Sequence, residues 1–79
     1  MITVRYFAGA REAAGRATEQ LGGPMSVAAL RGALTAAHPR LDAVLPKCAL
    51  LIAGARSTSD EAEVPDNVTV DVLPPFAGG

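Results

Sequence analysis

The chain has a single cysteine, Cys48, and a single histidine, His38. One cysteine excludes an intramolecular disulfide framework, so the fold must hold by packing, and it points to a reducing compartment. One Cys and one His far apart do not supply the four ligands of a structural zinc site. Charge of either sign is not in excess: seven Lys and Arg face eight Asp and Glu, a formal net charge of −1. No basic stripe is present, so the electrostatic footprint of a nucleic-acid binder is missing. The acidic surplus is too slight for a disordered acidic tail. No apolar run reaches the ~18 residues of a membrane span. Met1-Ile2-Thr3-Val4-Arg5 has no charged segment leading into an apolar one, so it does not read as a signal peptide. A soluble, cytoplasmic protein is expected, with neither nucleic acid nor membrane as partner.

What is there is one small domain's worth of chain. A chain of 79 residues buries only about 60% of the surface its unfolded form exposes. Two lobes around an enclosed cleft do not fit, so a binding or carrier module is expected rather than a large multi-step enzyme. Hydrophobic residues make up 49% of the sequence, enough for a packed core.

Residues 2–7 alternate β-branched and aromatic side chains with polar ones and predict a strand. Ile2, Val4 and Tyr6 share one face; Thr3, Arg5 and Phe7 share the other. Residues 8–15 predict a short helical turn stopped by Gly15. Residues 16–21 predict a weak strand, broken by Gly22-Gly23-Pro24. Ser26 is placed to cap a helix, with Met25 and Leu30 as a hydrophobic staple. Val27, Leu30, Leu34 and Ala37 form its apolar stripe. The helix should end near His38, ahead of Pro39. Leu41, Val44 and Leu45 suggest one further turn. Residues 48–53 are apolar throughout and predict a strand buried on both faces. Residues 56–66 read as a polar loop with a short edge strand. Residues 68–73 alternate again, with Val68, Val70 and Val72 inward and Thr69, Asp71 and Leu73 outward. Pro74-Pro75 ends that ladder, because neither residue can donate a hydrogen bond.

Two terminal strands flanking one main helix predict an α+β domain of ubiquitin-like, β-grasp type. Its mixed sheet carries the helix on one face. The domain is expected over residues 1–73, followed by a flexible, extended Gly-Gly tail over residues 74–79. That tail is built for reach. Six residues at ~3.3 Å each span roughly 20 Å. Pro74 and Pro75 project it, Phe76 is an apolar anchor, and Gly78 and Gly79, without side chains, suit passage through a narrow channel.

Leu-Pro-Pro-Phe-Ala-Gly-Gly at 73–79 resembles the C-terminal signature of the molybdopterin synthase small subunits, members of the MoaD/ThiS-type ubiquitin-like sulfur carriers. Phe7-Ala8, Arg11-Glu12 and Gly15 match a second motif near the start. The resemblance covers the whole chain. One departure is visible: the family often carries Asn after the third long strand, where this chain has Ala53-Gly54.

The resemblance implies a carrier rather than a complete enzyme, a non-catalytic sulfur-donor subunit. An ATP-dependent adenylyltransferase, similar to ubiquitin-activating enzymes, would adenylate the Gly79 carboxylate. Sulfur from a persulfide would then give a C-terminal thiocarboxylate. The tail, Pro74, Pro75, Phe76, Ala77 and Gly78, would insert into the large subunit of molybdopterin synthase, within a heterotetramer. There sulfur would pass to cyclic pyranopterin monophosphate. No stably bound cofactor and no metal are implied, and ATP is used by the partner.

The remaining residues are read from their positions. Phe7 and Leu73 fall opposite the expected core faces, and with Leu51 they could form an apolar docking patch beside the tail. Arg11 is a candidate partner contact. Cys48 is expected to be a small core residue, and His38 to suit a helix C-terminus. Asp60, Glu61, Glu63 and Asp66 are expected to be solvated. Alternatives stay open: a sulfur carrier for thiazole or cysteine biosynthesis, a ubiquitin-like modifier joined to lysines through Gly79, or an interaction domain with an inert tail.

Overall fold

A computed structural model describes residues 1–57 and 59–75. The first strand, β1 (Ile2–Tyr6), buries Ile2, Val4 and Tyr6 and leaves Arg5 exposed, as its alternation requires. Phe7 then serves as the N-cap residue of α1 (Ala8–Ala14). The short helix ends at Gly15 in the left-handed region, φ 75°, where the absence of Cβ removes the steric penalty. Ala10 and Ala14 are its buried positions. The chain returns as β2 (Thr18–Leu21), antiparallel to β1.

A short strand, β3 (Met25–Ser26), leads into α2 (Val27–Ala37). Ser26 caps α2: its hydroxyl accepts the Ala29 N–H at 3.1 Å. Val27, Leu30 and Leu34 are buried. The apolar stripe stops there, because Ala37 is exposed one turn beyond Leu34. Two 3-10 turns follow, Pro39–Asp42 and Leu45–Lys47, burying Leu41 and Leu45.

The apolar run is shorter as a strand than expected: β4 is Ala49–Ile52. It is also not buried on both faces. Leu50 is buried, while Ala49, Leu51 and Ile52 are half-buried. The reason is topological, since helix covers one side of the sheet only. A tight turn carries the chain to β5 (Ala55–Arg56). Its two central residues, Ala53 and Gly54, have φ of 50° and 84°, the mirror-image geometry that suits strand twist. The polar segment contains a second short strand, β6 (Glu63–Val64), which pairs with β3. The last strand, β7 (Thr69–Leu73), buries Val70 and Val72.

The main sheet runs β2-β1-β7-β4-β5. β1 and β7 are parallel at its centre; the other pairs are antiparallel. The inner face and α2 share one core, in which Ile2, Val4, Leu30, Leu34, Leu50, Val70 and Val72 are all at most 1% exposed. This is the expected β-grasp arrangement. Parallel pairing puts the ends of β1 and β7 at the same edge of the sheet.

Candidate functional site

The outer face of the sheet can be read from its register. One row crosses it as Thr18, Arg5, Asp71, Leu51 and Arg56, each paired with the next. The next row holds Leu73 opposite Ala49. Phe7 extends this row, because its N–H donates to Val72 O at 3.2 Å. Phe7 is 39% exposed, so α1 does not cover it. Leu51 and Leu73 are half-buried. Phe7, Leu51, Leu73 and Ala49 thus lie on one face, beside the point where the chain leaves the sheet.

That face is not purely apolar. Arg5 donates through Nε and Nη2 to both carboxylate oxygens of Asp71, at 2.6 and 3.0 Å. The hydrogen bond to Asp71 and its charge push the Arg5 pKa further up. The same guanidinium lies 5.7 Å from the Phe7 ring centroid, within cation–π range. Two open hollows flank the row. One, about 270 Å³, is lined by Arg5, Phe7, Ala8, Arg11 and Thr18 among others. The other, about 430 Å³, holds Lys47, Ala49, Arg56, Leu73, Pro74 and Pro75. Arg11 therefore sits beside Phe7, and Lys47 and Arg56 sit beside the root of the tail. Phe76, Ala77, Gly78 and Gly79 lie outside the described residues.

Cys48 is buried, and its thiol donates to Val44 O at 3.3 Å. Burial pushes its pKa up, against a smaller opposing effect of Arg31. A raised pKa disfavours the thiolate, so Cys48 is a packing residue and a poor nucleophile. His38 has a partner that its sequence position does not reveal. Its Nε2 is 2.6 Å from Glu19 Oε1. Tyr6 donates its hydroxyl to the same oxygen and meets the His38 ring edge-on, centroids 6.1 Å apart. Burial, then Glu19, pushes the Tyr6 pKa well above its ordinary value. This cluster ties β1, β2 and the end of α2 together.

The acidic loop residues have structural partners. Asp60 pairs with Arg31 at 3.2 Å and Asp66 with the N-terminal ammonium at 2.5 Å. The N-terminus holds the Asp66 carboxyl below the usual carboxylate range. Among the described residues no group of three His, Cys, Asp or Glu could hold a metal ion. Among them also, no helix is long and apolar enough to cross a membrane.

Arg5, Asp71, Lys47 and Arg56 were not singled out by sequence reasoning. Arg5 and Asp71 could have been: both fall on outward positions of the two terminal strands, and only parallel register was needed to join them. Lys47 ends a three-residue 3-10 turn and Arg56 a two-residue strand, both too short for periodicity to assign a face.

Known proteins resemble the chain over nearly its whole length. A family model described as the ThiS family matches residues 4–79. A molybdopterin synthase sulfur carrier subunit of Chlamydomonas reinhardtii is 35% identical, covering 99% of this chain and 98% of the relative. Among solved structures, a protein described as molybdopterin converting factor subunit 1, from Pyrococcus furiosus, superposes with a TM-score of 0.80 at 25% identity. That match covers 95% of this chain and 97% of the other. Small archaeal modifier protein 1 of Haloferax volcanii superposes with a TM-score of 0.75 at 25% identity, over 95% and 97% of the two chains. With its central parallel β1–β7 pair and its Gly-Gly end, the chain belongs to the ThiS family of ubiquitin-like sulfur carriers.

Proposed function

We propose that the chain is the sulfur-carrier subunit of molybdopterin synthase. One geometric observation carries the reading. β7 runs in the centre of the sheet and ends at Leu73, so Pro74 and Pro75 leave beside Phe7, Ala49 and Lys47. A partner that grips this face receives the chain's end at the same time. The 35% identical relative supports the molybdopterin branch.

In this reading a ubiquitin-activating-like adenylyltransferase prepares Gly79. A carboxylate is a poor electrophile. Its attack on the α-phosphate of ATP releases pyrophosphate and leaves an acyl-adenylate with AMP as leaving group. A persulfide sulfur displaces AMP, and a thiol of the partner cleaves the resulting S–S bond to leave the thiocarboxylate. The synthase large subunit, as two copies in a heterotetramer, then admits residues 74–79. There the thiocarboxylate sulfur forms a C–S bond to cyclic pyranopterin monophosphate in place of a C–O bond of that precursor, and water hydrolyses the acyl–sulfur bond to return the Gly79 carboxylate. A dithiolene takes two sulfurs, so two carrier turnovers are required. The protein itself holds neither metal nor cofactor in this scheme and works in the cytoplasm.

The test is intact mass after incubation with an activating enzyme, ATP and a sulfur donor. A gain equal to replacing one oxygen by sulfur, localised to Gly79, is expected. Large subunit and pterin precursor should then return the mass to its starting value. A second reading, a lysine modifier, is favoured by the likeness to small archaeal modifier protein 1. Its product would be an isopeptide conjugate through Gly79. A thiocarboxylate consumed only by a thiazole or cysteine biosynthetic enzyme would move the chain to another branch.

A further inference from the structure

We infer that the partner face opposing the tail root has an apolar centre bordered by carboxylates. This rests on the proposal that the outer sheet face docks the synthase large subunit. The apolar centre is the row of Phe7, Leu73 and Ala49, with Pro74 beside it. The charged residues lining the two hollows that flank it are all cations. Arg11 stands at the Phe7 end, and Lys47 and Arg56 stand at the Pro74 end. Asp71 is the anion of the adjoining row, and Arg5 already neutralises it with two hydrogen bonds. Arg11, Lys47 and Arg56 have no ion-pair partner among the described residues.

Most of the acidic groups lie elsewhere. Glu19, Asp60 and Asp66 are paired with His38, Arg31 and the N-terminus. Glu63 begins the short β6 and Glu61 precedes it; Asp60 and Glu63 line other hollows, each shared with Arg56, and Glu12 lines neither hollow beside the apolar row. The docking face is therefore cationic on a chain whose net charge is −1. Such an arrangement steers association with an anionic surface and repels a basic one. The unpaired cations are exposed and peripheral to the apolar row, so their main effect is on association rate and salt dependence.

The experiment measures association and dissociation of the full chain with the large subunit at increasing sodium chloride. Arg56→Glu and Lys47→Glu are compared with wild type. The double variant Ala29→Glu/Ala36→Glu, on the exposed side of α2, gives the same net charge change as one reversal and serves as control. Each reversal should slow association about tenfold at low salt and flatten its salt dependence. The control should behave as wild type. Circular dichroism of each variant confirms the fold, since both substituted side chains are exposed. Salt-independent wild-type association, or reversals matching the control, would overturn the inference alone. Absence of wild-type binding together with no thiocarboxylate formation would instead overturn the sulfur-carrier proposal, and the inference with it.

Discussion

At Ala53 the backbone takes φ of 50°, in the left-handed region. A Cβ residue there costs about 1–2 kcal/mol. Ile52 and Ala55 pair across the turn, and Gly54 follows at φ 84°. This two-residue turn favours Asn-Gly. The Asn that the family often carries here therefore has a physical reason, and this chain does without it. Ala53→Asn should raise stability by about 0.5–1 kcal/mol, read as a higher urea midpoint at unchanged m-value. Tyr6 gives a second test at this scale. It is the one tyrosine of the chain, so phenolate absorbance reports it alone. Its folded-state pKa is raised by burial and by Glu19. A group raised in the folded state contributes stability that is fully present below its unfolded pKa, about 10 for a phenol, and is lost as pH rises beyond it. Tyr6 should therefore ionise only together with unfolding in alkali. Phenolate appearing near pH 10 in a chain whose circular dichroism is still native would count against the Tyr6–Glu19 contact.

Among the elements, α2 was the most legible in sequence and the 49–66 segment the least. Ser26, Val27, Leu30 and Leu34 announce a cap and a stripe, and each does in the structure what its spacing implies. Ala37 fits the same spacing yet is exposed, since the 3-10 turn at Pro39–Asp42 brings Leu41, fully buried, into the core instead. β4 was legible as a strand but not as one with an open face. An apolar run records burial without saying what covers it, and Leu51 is apolar on the side that no helix shields. β5 and β6 are two residues each, too short for any period to register. The Tyr6–Glu19–His38 cluster was illegible for a different reason: three elements supply it, and none of the three side chains breaks its local pattern. Gly32 is the residue of α2 that propensity disfavours most. A Cβ built on it meets nothing within 4 Å, and its φ is not positive. Gly32→Ala should stabilise the helix by about 0.5–1 kcal/mol. A rise in thermal midpoint is the expected reading, and no change would mean that the glycine does not limit α2.

For the whole molecule the central question is whether body and tail act as separable parts. In the proposed function, docking belongs to the outer sheet face and chemistry to the end of the chain. The two are joined at one place, because β7 lies between β1 and β4 and its last residue, Leu73, pairs with Ala49. Substitutions on either side of that joint should therefore fail in different ways. Phe7→Ala removes an exposed ring that lies outside the buried core cluster. It should weaken large-subunit affinity by about tenfold or more, as loss of an interface aromatic does, while the thermal midpoint moves little. A large fall in midpoint with unchanged affinity would make Phe7 a structural residue instead. Gly78→Leu should do the reverse of Phe7→Ala in one respect. It leaves the docking face intact, so competition for the large subunit should persist, yet a bulky side chain should stop sulfur transfer if a narrow channel must admit residues 74–79. Measuring both variants in both assays gives four numbers. Affinity lost with Phe7→Ala alone, and transfer lost with Gly78→Leu at retained affinity, is the pattern of a rigid body that docks and a tail that reacts. Normal thiocarboxylation and normal transfer by Gly78→Leu would remove the reason for a Gly-Gly end and, with it, the threading step.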